Sequence, residues 1–307
     1  MTLHIFANIV TPYGTASNNR GETDGNTTTL QKLVWKSQVH TTVSAEAIRF
    51  ALRRLFIENG EKTNRYWDET IQANRWNDPE FTSWSMGAKA TLIDDDLLGY
   101  MRADGAKEEG KAGTATIRRA VLEISRAVSL TPWSGDVSFN VASPGATPSA
   151  AKSKKEAAPT KQNPAPYNAE LHATRYQYGL AMTPERLADK SRAAKALDAI
   201  GSLRCVAGNH GRFLYDFAPE AMVIRITDDP APRILYCFDT QDGGKTIDAD
   251  SLIQRIDSGD IMPYELFVGV SDLNSTLAQT LIAKKVSVTG VRAAIAAACK
   301  KIEKALE

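Results

Sequence analysis

Hydrophobic positions open this chain in a β rhythm. Residues 3–10 (LHIFANIV) are dominated by β-branched and aromatic side chains and end at Thr11-Pro12, which predicts an opening strand. Residues 11–29 are polar and glycine-rich and cannot bury themselves, so they predict a surface loop. Residues 31–42 (QKLVWKSQVHTT) return as a strand or hairpin arm. The clearest helix follows over residues 44–59. Ser44 can cap its first turn, and Glu46 suits the positive helix start. Ala47, Ile48, Ala51, Leu52, Leu55 and Phe56 share one face at helical spacing, and Asn59-Gly60 stops the run. Arg49 and Arg53, four apart, stack on the polar side.

Beyond this helix the periodicity weakens. Residues 61–113 hold three of the tryptophans (Trp67, Trp76, Trp84), and acids outnumber bases there; an irregular, partly helical insertion is predicted. Residues 117–130 fit a helix through Val121, Ile124 and Val128, while their β-branched content also permits a strand. Residues 143–166 are rich in Ala, Pro, Ser and Lys, and predict a flexible loop. Strand character resumes over residues 169–182. A helical stretch runs from Thr183-Pro184-Glu185 through residues 192–203. Strands are predicted over residues 221–226 and 233–238, joined by the turn Asp228-Asp229-Pro230, and a last helix over residues 289–306. No internal repeat is visible. The alternation predicts an α/β or α+β sheet domain with long insertions hung on its loops.

Composition narrows the function. The chain has 307 residues, with 37 basic against 36 acidic side chains, so any nucleic-acid contact must rest on local charge. Local charge exists: residues 31–54 carry five Lys or Arg (Lys32, Lys36, Arg49, Arg53, Arg54) against one acid, Glu46. With the polar loop holding Asn18, Asn19 and Arg20, and with His40 beside them, these groups could cradle phosphate; Trp35 and Tyr13 could stack on bases. A solvated helix face and a polar turn are the plainer reading of the same residues. Gly208-Asn209-His210-Gly211-Arg212 is a second polar turn able to touch phosphate. Three cysteines without CxxC spacing exclude a disulfide framework and a structural zinc site, and fit a reducing cytosol. No apolar run approaches membrane-spanning length, so a cytoplasmic protein without a membrane partner is expected. The four histidines lack metal-ligand spacing, and no nucleophile elbow, P-loop or dinucleotide fingerprint occurs; no catalytic residue, metal site or cofactor is expected. Asp94-Asp95-Asp96 suggests a hard-cation site, but adjacent carboxylates do not converge in regular structure, and a helix or turn cap before Leu97-Leu98-Gly99 is the simpler reading.

VSAEAIRFALRR, residues 43–54, resembles the Ser-x-x-x-(Leu/Ile)-(Lys/Arg)-x-Ala-x-Arg helix start of the Cas-seven superfamily, the RNA-coating backbone of Cascade-type complexes. Ser44, Ile48, Arg49, Ala51 and Arg53 carry the match. DDDLLGYM, residues 94–101, resembles a later family segment, with Leu98 in place of the usual aromatic. RRAVLEISRAVSLTPWSGD and ATRYQYGLAMTPERL resemble its central strands. TPYGTASNNRGE and AGNHGRFLYDF are similar to its DevR (Cst-type) branch of type I-B systems.

The resemblance implies an α+β fold: a modified RRM-like (ferredoxin-like) palm with a helical finger insertion and a thumb-like loop. Palm would occupy residues 1–59, 116–142 and 167–307 (the last with a possible thumb), the finger residues 60–115, and the flexible loop residues 143–166. It implies a non-catalytic subunit that stacks head-to-tail along a guide RNA (crRNA). Its partners would be crRNA, the target DNA strand, other copies of itself, the other Cascade subunits and, in transposon-linked systems, transposition proteins. The implied RNA-binding residues are Asn18, Asn19, Arg20, Ser44, Arg49 and Arg53, with Lys36 and His40 on the strand feeding the helix, then Arg175, Asn209, His210 and Arg212 from other family-like segments. Two alternatives stand beside it: a metal-dependent ribonuclease of the related type III kind using Asp24 or Asp94–Asp96, and a DNA-binding regulator. The acidic insertion, Asp94–Asp96 included, would meet a basic face of the next copy.

Overall fold

The computed structural model describes residues 2–17, 23–84, 91–104, 114–142, 165–206 and 214–307. The opening run forms β1 (His4–Val10), whose mostly apolar sequence has a simple cause: both of its faces are covered. Ile5, Ala7 and Ile9 enter one core, Phe6 and Val10 the other. A hairpin follows, β2 (Lys32–Trp35) and β3 (Gln38–Val43), pairing Leu33 with His40. Lys36 and Ser37 form its tight turn, both at positive φ (49° and 65°), the twist that two-residue hairpin turns require.

Helix α1 (Ala45–Glu58) begins where its sequence places it. Ser44 stays extended, and its hydroxyl accepts the Ala47 N–H at 3.3 Å. Ile48, Leu52 and Phe56 are buried one turn apart. The chain then adds α2 (Ile93–Leu98), β4 (Leu122–Ile124), β5 (Ala127–Ser129), β6 (Tyr176–Met182) and α3 (Arg192–Ile200). It ends with β7 (Ala221–Thr227), α4 (Asp250–Asp257), β8 (Leu266–Val270), α5 (Thr276–Ala283), β9 (Ser287–Thr289) and α6 (Val291–Leu306).

These nine strands form one sheet in the order β9-β8-β7-β1-β6-β5-β3-β2, with β4 also on β6. Neighbours are antiparallel except β8 and β9. Alternation divides the molecule into two cores. On the first face Tyr176, Tyr178, Leu180, Met222, Ile224 and Ile226 meet α1, α2, α3 and α6. On the second, Val223, Leu266, Val268 and Val270 meet α4 and α5. No helix among the described residues is long and apolar enough to cross a membrane.

Three segments differ from the sequence expectation. Residues 117–130 are strands, because Ser125 breaks the helical spacing and bonds the β6 backbone from both sides: its N–H donates to Gly179 O and its hydroxyl accepts the Gly179 N–H. Residues 233–238 are not a strand. β7 is already paired with β1 and β8, so no edge is open to them; Ile234, Cys237 and Phe238 instead plug the second core. The insertion after α1 is mainly β: hairpins Arg65–Asp68/Ala73–Trp76 and Tyr100–Asp104/Thr114–Arg118, with α2 its only α-helix among the described residues. Trp76 and Trp84 are scaffolding. Phe81 stacks on Tyr100 at 3.8 Å, Trp76 meets Phe81 edge-on, and Arg65 and Arg118 lie over the Trp76 and Trp84 rings. The flexible-loop expectation falls almost wholly on residues 143–164, outside those described.

Asp94, Asp95 and Asp96 are not an exposed acidic face; each is about 1% exposed or less. Asp94 accepts the backbone N–H groups of Asn64 and Arg65, at 2.7 and 3.0 Å, and pairs with Arg53 at 3.4 Å. Asp95 accepts the Asn64 amide at 2.8 Å. Asp96 accepts from Arg118 and Arg192, both at 2.7 Å, and from the backbone of Ala188 and Asp189. The expectation that these acids face another copy is therefore corrected: their partners are internal. Among the described residues no group of three or more His, Cys, Asp or Glu is arranged to hold a metal. Gly99 ends α2 at φ 67°, where an added Cβ would lie 2.3 Å from Arg118 O, so only glycine fits.

Asp96→Ala leaves Arg118 and Arg192 without their shared acceptor. It should cost about 3–5 kcal/mol in chemical denaturation, against about 0–1 for breaking the exposed Lys36–Asp239 pair. Burial and the neighbouring Asp94 push the Asp95 carboxyl up to about 7. A carboxyl raised on folding binds more protons folded than unfolded, so its contribution weakens stability as pH rises from about 4 through 7. Thermal melts from pH 5 to 8 should therefore fall less steeply for Asp95→Asn than for wild type.

Candidate nucleic-acid interface

The Asp94 pairs dock the Arg65–Asp68/Ala73–Trp76 hairpin against α1, and a groove opens between them. Its basic half, a cavity of ≈220 Å³, is lined by Arg49, Arg53 and Arg54 from α1 and by Arg65 from the hairpin. Its outer half, ≈570 Å³, is walled by Phe50, Ile57, Tyr66 and Trp67 and shares Arg54 with the first. Helical spacing explains the α1 contribution. Arg49 and Arg53 lie one turn apart, and Phe50, Arg54 and Ile57 form the adjoining row.

Like charges are held close here. Burial, and then the Arg65 charge, pull the Arg53 pKa below its usual range, with Asp94 opposing both. The Nε atoms of Arg49, Arg53 and Arg65 are buried and lack hydrogen-bond partners among the described residues. The arginines therefore give the groove a local positive charge, while Arg53 Nε faces Asp94 at 3.4 Å and Glu46 lines the same cavity.

The sequence-nominated residues separate into groups. Arg49 and Arg53 are brought together in this groove. Ser44 is buried beneath it and spends its hydroxyl on the helix cap. Lys36 and His40 lie on the opposite side of the sheet. Val43 packs with α1 on the first face, and alternation along β3 turns His40 to the second. There they line a polar cleft of ≈340 Å³ with Trp35, Gln177 and residues 239–244. His40 donates from Nδ1 to Ser129 O at 2.7 Å, which fixes the protonated nitrogen, and Lys36 pairs with Asp239 at 2.5 Å.

Arg175 is 7% exposed and sits between these regions. Its guanidinium donates to Gly244 O and Thr11 O and pairs with Glu220. Asn18, Asn19, Arg20, Asn209, His210 and Arg212 lie outside the described residues. The sequence reading missed Arg65, Phe50, Tyr66 and Trp67. The Arg-Tyr-Trp triplet was visible, but nothing in its spacing places it against α1.

Comparison with known proteins supplies the lineage. Residues 13–239 match the family model described as CRISPR-associated negative auto-regulator DevR/Csa2. The chain is 55% identical over 307 residues to a protein of Myxococcus xanthus (strain DK1622) named CRISPR-associated protein Cas7/Cst2/DevR, covering 99% of each. Two solved chains share the fold at 14% identity. One, titled CRISPR RNA-guided surveillance complex, pre-nicking, aligns at TM-score 0.56 over 98% of this chain and all of its own. Another, titled CRISPR RNA-guided surveillance complex, aligns at TM-score 0.53 over 98% of this chain and 99% of its own. By family model and by near-full-length identity, this chain belongs to the DevR/Csa2 family of CRISPR-associated proteins.

Proposed function

We propose that this protein is a non-catalytic, crRNA-binding backbone subunit of a type I-B Cascade complex. Copies stack head-to-tail along the guide and present it to the target DNA strand, with the remaining Cascade subunits at the ends and flank. The observation that carries this reading is the groove itself: Arg49, Arg53 and Arg54 of α1 and Arg65 of the hairpin line one opening, in a chain of balanced net charge. Such a groove suits a ligand that is anionic everywhere and whose sequence must not matter, because phosphate contacts position a strand without reading it. Balanced net charge suits close stacking of identical copies, which a strongly basic subunit would resist. A heterologous contact that does not close then yields a filament.

The sheet order supports an RRM-like palm. β7, β1, β6 and β5 are adjacent and antiparallel, α1 lies between β1 and β5 in the chain, and α3 between β6 and β7. In this reading residues 60–115 are the finger, residues 143–166 a flexible loop and residues 167–307 palm with a possible thumb, and Asn18, Asn19 and Arg20 join Arg49 and Arg53 as RNA contacts. Lys36 and His40 would meet nucleic acid only where it passes the second face of the sheet, and Arg175, Asn209, His210 and Arg212 are contacts of lower rank. Recruitment of transposition proteins is a property the whole complex would have.

The test is to co-express the chain with its operon partners and a CRISPR array, then extract and sequence the bound RNA. Wild type should return discrete guide-length RNA, and Arg20→Glu/Arg49→Glu should lose it while melting at the same temperature. Wild-type complex free of RNA with every partner present would refute the proposal.

A further inference from the structure

Phosphate binding accounts for only the basic half of the groove. The outer half leaves Phe50, Ile57 and Trp67 each more than a third exposed, around one concavity rather than scattered. Trp67 is also set apart from the other aromatics of the insertion: Trp76, Phe81, Trp84 and Tyr100 are packed on one another or under arginine. A tryptophan kept out of that cluster, beside guanidinium groups, has its ring face available.

We propose that the groove is a nucleotide subsite for a single strand. Arg49, Arg54 and Arg65 take the phosphate, and Tyr66 and Trp67 take the face of one unpaired base. This rests on reading the chain as RNA-binding and adds residues to it. Three features carry it. A cavity of ≈570 Å³ is in the range of about 300–1,000 Å³ that encloses small ligands, and it opens directly onto the arginines. Aromatic rings alternating with arginines form the surface on which unpaired bases stack, because every base has a π face and every linkage a charge. The acids Glu58 and Glu69 stand on the outer wall, with Glu58 facing Arg204 at 3.8 Å, so the phosphate is drawn toward the inner arginines and the base is left to the rings.

Aromatic and arginine contacts give different signatures. Binding of fluorescein-labelled oligouridine of about 30 nucleotides is measured by anisotropy across a salt series, using the full chain purified with its partners. Oligothymidine and a base-free ribose-phosphate strand of equal length are run in parallel. Trp67→Ala should weaken oligouridine binding by about 5- to 100-fold with no change in salt slope, and Trp67→Phe should restore most of it. Arg49→Ala should lower the slope by about 0.7. The base-free strand should bind as weakly to wild type as oligouridine does to Trp67→Ala.

A preference for the ribo strand would name the guide as occupant; a preference for the deoxy strand would name target DNA. If Trp67→Ala and Tyr66→Ala bind every strand as wild type does, while Arg49→Ala weakens binding, stacking is overturned and RNA binding stands. If Trp67→Ala shortens the assembly in native mass spectrometry without changing RNA affinity, the groove is a protein-docking surface and the proposal fails. If wild type binds no strand, the functional reading fails with it. Equal melting temperatures for the variants exclude misfolding as the cause.

Discussion

One buried carboxylate ties the insertion to the helical layer on the first face of the sheet. Asp96 receives Arg118 from the end of the insertion, Arg192 from the start of α3, and two backbone N–H groups from the turn between β6 and α3. Two arginines and one fully buried acid leave a net positive charge that water cannot screen, and Asp94 and Asp95 next to it offset that excess. The three acids act as one unit, held at the start of a six-residue helix whose N-terminal dipole also favours them. The arrangement resists loss of Asp94 or Asp96, because each loss strands an arginine. Gly99 allows the next strand to turn back directly over α2, which keeps Arg118 within reach.

The groove follows from this clamp. Asp94 is bound to the backbone at Asn64 and Arg65 and to the side chain of Arg53, so the hairpin and α1 are held at a fixed separation by the same acid. Arg53 spends its charge inward on the scaffold, while Arg49, Arg54 and Arg65 surround the opening. Four cations at close range are costly unless something negative is nearby. Asp94 supplies part of that compensation inside the chain, and Glu46 lines the same cavity.

The sheet imposes a second constraint. Its period of two separates Lys36 and His40 from Arg49 and Arg53, although only eight residues lie between His40 and Arg49. Closeness in sequence suggests one site; pleating makes two clefts, one on each face. A ligand strand held along α1 meets the second cleft only by passing the β2 edge of the sheet. The second face is otherwise closed by α4, α5 and residues 233–238, which leaves that polar cleft as its open part.

Much of the local structure was written in the chain. The Ser44 cap, the apolar stripe of α1, the extended character of residues 31–42 and the final helix were all legible, because each depends on neighbours within a few residues. So was family membership, since VSAEAIRFALRR and the segments after it keep their order. Tertiary structure decided what those residues face. Residues 117–130 became strands because β6 offered an edge, and residues 233–238 did not because β7 had none left. Asp94–Asp96 read as a cap before Leu97-Leu98-Gly99 and do open a helix, but their burial as a hub was not legible, because their partners come from positions up to 96 residues away. The groove needed Arg65, Tyr66 and Trp67 to be carried onto α1. Such pairing is set by burial and charge compensation across the fold, which spacing along one chain does not encode.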